Sequence, residues 1–173
     1  MRPKTAYDGA IPSANSVMAE NLLRLSAITG DLKFKEYAYR IFDAFEHEAE
    51  RNPTAYTYML NAALYANQDI IKVVFTANTR SDINDMISEF LSSDQRILND
   101  KSFKDTVLGI TETIMIFKDM ANDSENALHR YFQNYRMVDE KPTAYVCKGN
   151  TCYPPVNNMD DLKKFLHPLQ TND

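Results

Sequence analysis

The feature that most constrains this chain is a change in the period of its apolar residues near Asn67. Before that point they return every three or four positions, as on one face of an α-helix. After it, short β-branched runs alternate with helical stretches. The fold class expected is mainly α with a small β-sheet: a helical portion over 1–67, then a small α/β portion over 68–173 packed on it.

Three helices fit the first portion. Pro12 and Ser13 can start the first, and Gly30 can supply its left-handed cap. Its apolar residues Ala14, Val17, Met18, Leu22, Leu25 and Ile28 cover a wide face, so the helix is expected to be mostly buried. Asp31 can cap the second, where Phe34, Tyr37, Ala38, Ile41, Phe42 and Phe45 oppose Lys35, Glu36, Arg40, Asp43 and Glu50. Pro53 suits the first turn of the third, with Tyr56, Met59, Leu60, Ala63 and Leu64 as its stripe.

In the second portion, Ile71–Thr76, Thr113–Phe117 and Ala144–Cys147 read as strands of a small sheet with parallel members. Helices are expected from Ser81, with a slight preference for helix over Asp94–Leu108, then around Ala127 to Phe132, and from an Asn158 cap to about Leu169.

Composition excludes several classes. A net charge of −5, with no basic cluster interleaved with aromatics, argues against a nucleic-acid partner. The apolar run Val73–Phe75, even with its neighbours Ile70 and Ile71, is far short of the ~20 residues of a membrane span. Met1-Arg2-Pro3-Lys4 is followed by Asp8, Gly9 and Pro12 rather than an apolar stretch, so no secretory signal is read and a cytoplasmic location is expected.

The segment Tyr7 to Ser16 carries the most chemistry. It is a turn that brings polar side chains to the start of a helix, where free backbone N–H groups can hold a hydroxylated or anionic ligand. Asp8, Ser13, Asn15, Ser16 and Glu20 are therefore ligand-binding candidates. The competing reading is structural: Ser13 caps the helix, Asn15 and Ser16 satisfy loop carbonyls, and Glu20 pairs with Arg24.

The runs Asp8-Gly9-Ala10, Pro12-Ser13, Asn15-Ser16, Asn21 to Leu25, Thr29-Gly30-Asp31 and Tyr37 resemble the spermatogenesis-associated thioredoxin-like proteins. So does the tail Lys141 to Cys147 with Thr151-Cys152 and Pro155, and the likeness extends over roughly Tyr7 to Leu166. The resemblance implies a longer parent, with an N-terminal thioredoxin-like domain and an (α/α) toroid similar to N-acylglucosamine 2-epimerases and six-hairpin glycosidases. This chain would be a C-terminal part of it, a piece of the toroid plus the α/β segment. Ala14 stands where that motif usually has glycine. The resemblance transfers no catalytic residue.

Cys147 and Cys152 flank a Gly149-Asn150 turn that can bring the two sulfurs close, which makes them the one redox candidate. Four intervening residues are not thioredoxin spacing, and two reduced structural thiols are expected. His47, His129 and His167 are scattered, so no metal site and no cofactor are expected.

Three functions follow as expectations. The parent is a sugar epimerase- or hydrolase-like enzyme to whose pocket, holding a sugar-like molecule, this chain adds a rim without turnover of its own. Alternatively, the chain is a non-catalytic binding or assembly module that docks a thioredoxin-like domain or another subunit. In the third, it is a truncated product whose exposed edge is covered by self-association, with an apolar surface around Val17, Met18 and Leu25 left open or covered by another copy.

Overall fold

The computed structural model describes residues 5–68, 70–93, 113–120, 129–149 and 151–170. The chain is mainly helical with one small sheet, and it divides into two units, Met1–Gln68 and Asp69–Asp173.

The first unit holds α1 (Ala14–Thr29), α2 (Leu32–Arg51) and α3 (Thr57–Ala66). Ser13 caps α1, its hydroxyl oxygen accepting from the Ser16 amide at 3.0 Å. Gly30 ends the helix at φ 75°, a conformation in which a side chain would be strained. Asp31 then caps α2 by accepting from the Lys33 amide at 3.0 Å. Pro53 does not open α3 as expected. It starts a 3₁₀ turn, Pro53–Ala55, and Tyr56 at φ −132° interrupts the helical path, so α3 begins only at Thr57.

Small residues form the core of this unit. Ala6, Ala19, Met59 and Ala62 make its buried cluster, with Ile41, Phe42, Phe45 and Tyr56 half-buried around them. The side of α1 turned inward is Ser16, Ala19, Leu23 and Ser26, not the wide face expected from Val17, Met18, Leu22 and Leu25. Apolar periodicity ranks residues by hydrophobicity, but close helix packing also selects for size, and a stripe that is small apart from Leu23 takes the inner side. Large side chains are left outside: Met18 is 52% exposed, Leu25 38% and Leu64 58%.

The second unit contains β1 (Ile71–Ala77), α4 (Asn84–Ser93), β2 (Thr113–Asp119), α5 (His129–Phe132), β3 (Thr143–Lys148), β4 (Thr151–Cys152) and α6 (Met159–Gln170). All three expected strands are present, in the order β2-β1-β3-β4. β1 and β2 are parallel, as anticipated, but β3 runs antiparallel to β1. The chain reverses at Val138–Lys141, with Asp139 and Glu140 at φ 52° and 59°, and enters β3 opposite Thr76, at the end where β1 finishes.

The helix expected from Ser81 is preceded by a 3₁₀ turn, Arg80–Ile83, capped by Thr79 in a reciprocal box with Asp82, so α4 starts at Asn84. Asp94–Leu108, Ala127 and Leu128 lie outside the described residues. At α6, the Asn158 side chain accepts from the Asp161 amide at 2.9 Å, the cap read from the sequence.

Strand alternation splits the sheet into two faces. Ile71, Val73, Phe75, Ala144 and Val146 meet Ile83, Ile87 and Phe90, together with Met159 and Leu162, in the main core. Phe75 and Phe90 pack edge to face at 5.8 Å. The opposite face carries Lys72, Val74, Thr76, Tyr145 and Cys147, and with them Lys118, whose Nζ donates to the carbonyls of Phe132 and Tyr135 at 3.1 and 3.2 Å.

Candidate functional site

Asp8 is buried, at 8% exposure, and both carboxylate oxygens are occupied by the backbone. Oδ1 accepts from the Ser13 amide at 2.8 Å and Oδ2 from the Met59 amide at 3.0 Å, while the Asp8 amide donates to the Ala55 carbonyl at 2.8 Å. One side chain thus satisfies donors at the starts of both α1 and α3, where helix dipoles favour a negative charge. Burial by itself raises the Asp8 pKa. The backbone donors of Ser13, Met59 and Tyr58 and the Ser16 hydroxyl together outweigh it, so the net shift is downward.

The other candidates divide around this clamp. Ser13 and Ser16 are buried, their hydroxyls 2.7 Å apart. The Asn15 amide group donates to the Thr5 carbonyl at 2.6 Å. Ala14, at the first helical position, is exposed. Gly9 sits beside Tyr7, whose exposed ring is the neighbour that an added Cβ would meet.

Glu20 stands apart. It pairs with Arg24 at 2.7 Å, as expected for i,i+4 spacing, and hydrogen-bonds Tyr58, which raises the Tyr58 pKa together with burial and the Glu20 charge. Arg24 lies 6.0 Å from the centre of the Tyr65 ring. Tyr58 and Tyr65 belong to α3, whose register against α1 comes from packing, so sequence spacing gave no sign of them.

A separate groove of about 360 Å³ runs between α2 and α3. Phe42, Phe45, Met59, Leu60 and Ala63 make its apolar floor, and Asp43, Glu46 and Glu50 stand along α2. The stripe of α2 was legible. That Phe42 and Phe45 would line a trough as well as pack against the core was not.

In the second unit, Cys147 and Cys152 are bonded to each other, which overturns the expectation of two free thiols. The β3–β4 register sets them directly opposite, and Gly149 at φ 56° makes the reversal between them. No group of three or more histidine, cysteine or acidic side chains suited to a metal occurs among the described residues. His47 is exposed, and the side chains of His129 and His167 are outside the description. Among the described residues no helix is long and apolar enough to cross a membrane.

Comparison with known proteins agrees with the motifs. Spermatogenesis-associated protein 20 from Homo sapiens is 28% identical over 171 residues, covering 97% of this chain and 20% of that protein. The chain is a homologue of spermatogenesis-associated protein 20. The Rattus norvegicus protein of the same name is 27% identical over 96% of the chain, and an uncharacterised Caenorhabditis elegans protein is 29% identical over 92%. The chain spans about one fifth of the length of these spermatogenesis-associated protein 20 relatives. No protein-family model matches it, and no solved structure gives a significant match.

Proposed function

We propose that the helical unit is a non-catalytic packing module, and that its α2–α3 groove receives an amphipathic helix with basic residues flanking its apolar stripe. The observation that carries this is the inversion of side-chain size: three alanines and Met59 make the core cluster while Leu60, in the lining of an open apolar trough, stays exposed, as do Leu64 on the same helix and Met18 and Leu25 on α1. Asp43, Glu46 and Glu50 favour lysine or arginine on the incoming helix. Helices of a toroid, as the resemblance implies, would add to this surface in a longer homologous protein.

A designed helical peptide of leucines at helix spacing flanked by lysines tests this, beside a Leu/Glu version of the same pattern. The Leu/Lys peptide is expected to bind, and Leu60→Asp to weaken it roughly tenfold or more. Equal binding of both peptides, or none of either, sinks the proposal.

A second reading rests on Glu20. Unlike Asp8, its carboxylate is reached by side chains alone, Arg24 and Tyr58, so these three could hydrogen-bond a sugar-like ligand in a longer parent enzyme of the epimerase or hydrolase type. Ligand-dependent thermal shifts over a sugar panel, lost in Glu20→Gln, check it. Asp8, Ser13 and Ser16 are engaged internally and are better assigned to holding the helices.

A further inference from the structure

We propose that Cys147–Cys152 is a redox-active disulfide that undergoes exchange with a dithiol reductant by attack at Cys152. The two sulfurs differ in access. Cys147 is 1% exposed in the middle of the sheet, whereas Cys152 is exposed on β4, a two-residue strand at the sheet edge. Cys152 is the residue open to solvent, so an incoming thiolate is directed to its sulfur and Cys147 becomes the leaving group.

The surroundings of Cys147 suit a thiolate. Lys72 is its cross-strand partner on β1 and shares its sheet face, with its ammonium 5.6 Å from the centre of the Tyr135 ring. The Tyr135 hydroxyl is 3.7 Å from Sγ of Cys147 and can donate to it. Lys118, on the same face of β2, donates to the Tyr135 carbonyl. Tyr145 packs edge-on against Tyr135 at 5.1 Å, and its hydroxyl donates to the Arg136 carbonyl at 2.7 Å. The cross-strand Lys72 ammonium and the phenolic donor favour the sulfur anion and make it a better leaving group.

The chemistry balances with a dithiol alone. One thiolate of the reductant bonds to Sγ of Cys152 as the Cys147–Cys152 bond breaks, and Cys147 leaves with the electron pair. The second thiolate of the reductant attacks its own sulfur in the mixed disulfide, closing the reductant's disulfide and releasing Cys152. Two electrons and two protons pass to the protein, giving two thiols. The bond and the 2.9 Å hydrogen bond from the Tyr153 amide to the Val146 carbonyl tie this edge to β3, so reduction removes the covalent half of that tie.

The test uses the folded chain prepared without reductant. A maleimide probe is expected to label no cysteine before reduction by dithiothreitol; after it, Cys152 should label in the folded chain, with circular dichroism unchanged, and Cys147 only on denaturation. In Cys147→Ser the remaining Cys152 should react with a disulfide reagent at least about tenfold faster than Cys147 does in Cys152→Ser, where denaturation should unmask it. Lys72→Met, with its fold verified by the same spectrum, should slow reduction by dithiothreitol several-fold, because the leaving thiolate loses its cation. Two free thiols in the air-exposed folded chain, a bond that opens only on denaturation, equal reactivity of the two single cysteines, or an unchanged reduction rate in Lys72→Met would each overturn the proposal.

Discussion

Asp8 and Met59 lie 51 positions apart, and the Met59 amide donates to the Asp8 carboxylate at 3.0 Å. That bond, with its counterpart from the Ser13 amide, makes the start of α3 depend on a loop before α1. Asp8→Ala would strand two backbone donors, and the expected loss is about 3 kcal/mol in urea unfolding. Asp8→Asn should lose less, since one oxygen remains while an amide N–H then faces a backbone N–H. A fully stable Asp8→Ala would show that the clamp is dispensable.

The same carboxylate sets an acid limit. Its folded pKa lies below the ordinary aspartate value of 3.8, so its contribution is fully present above 3.8 and is lost as pH falls through the lower folded value. Wild type should therefore lose stability more steeply below pH 3.8 than Asp8→Asn does, and thermal unfolding as a function of pH reads the difference.

Two glycines should respond differently to alanine. Gly30 at φ 75° has open space around it, so Gly30→Ala costs only backbone strain, about 1 kcal/mol. Gly9 shows no positive φ and its crowding neighbour is the exposed Tyr7 ring, which can swing away, so Gly9→Ala should stay within about 0.5 kcal/mol. Thermal melts of the two variants compare them directly.

Glu140→Gly should stabilise the second unit. Asp139 and Glu140 occupy consecutive left-handed positions in the reversal bridged by Val138 and Lys141, a conformation that glycine adopts without the Cβ clash. The gain expected is up to about 1 kcal/mol, measured by denaturant midpoint. A loss would mean that the Glu140 side chain contributes more than its backbone costs.

Phe90→Ala should cost about 3–5 kcal/mol, because Phe90 is fully buried and stacks edge-on against Phe75 across the main core. Chemical denaturation followed by far-ultraviolet circular dichroism gives the value.

The sequence was most legible where local chemistry decides the outcome. Ser13, Gly30, Asp31 and Asn158 do what their positions before or after a helix suggest, and the β-branched run at Ile71 is a strand. Legibility failed where size or distance decides. Met18 and Leu25 look like core to a periodicity count, yet Ser16, Ala19, Leu23 and Ser26 take the inner side, where small residues let the helices approach. Of the polar motif, the cap at Ser13 and the pair Glu20–Arg24 were readable. The partners of Asp8 and Glu20 on α3 were not, since tertiary contacts leave no spacing in the chain. For the cysteines, the turn was visible but the bond depends on the β3–β4 register, which sequence spacing alone does not fix.

The central place of β1 has a consequence for synthesis on the ribosome. Thr76 and Thr143 are hydrogen-bonded across 67 positions, so one edge of β1 must wait for β3 to be translated. At about 5–20 residues per second, Ile71, Val73, Val74 and Phe75 spend several seconds in the nascent chain before that neighbour exists. A short run of this β-propensity with an open edge is the kind of segment through which chains on neighbouring ribosomes pair with each other. Slowing translation between codons 78 and 142 should therefore lower the soluble yield, whereas slowing it after codon 152 should leave the yield unchanged.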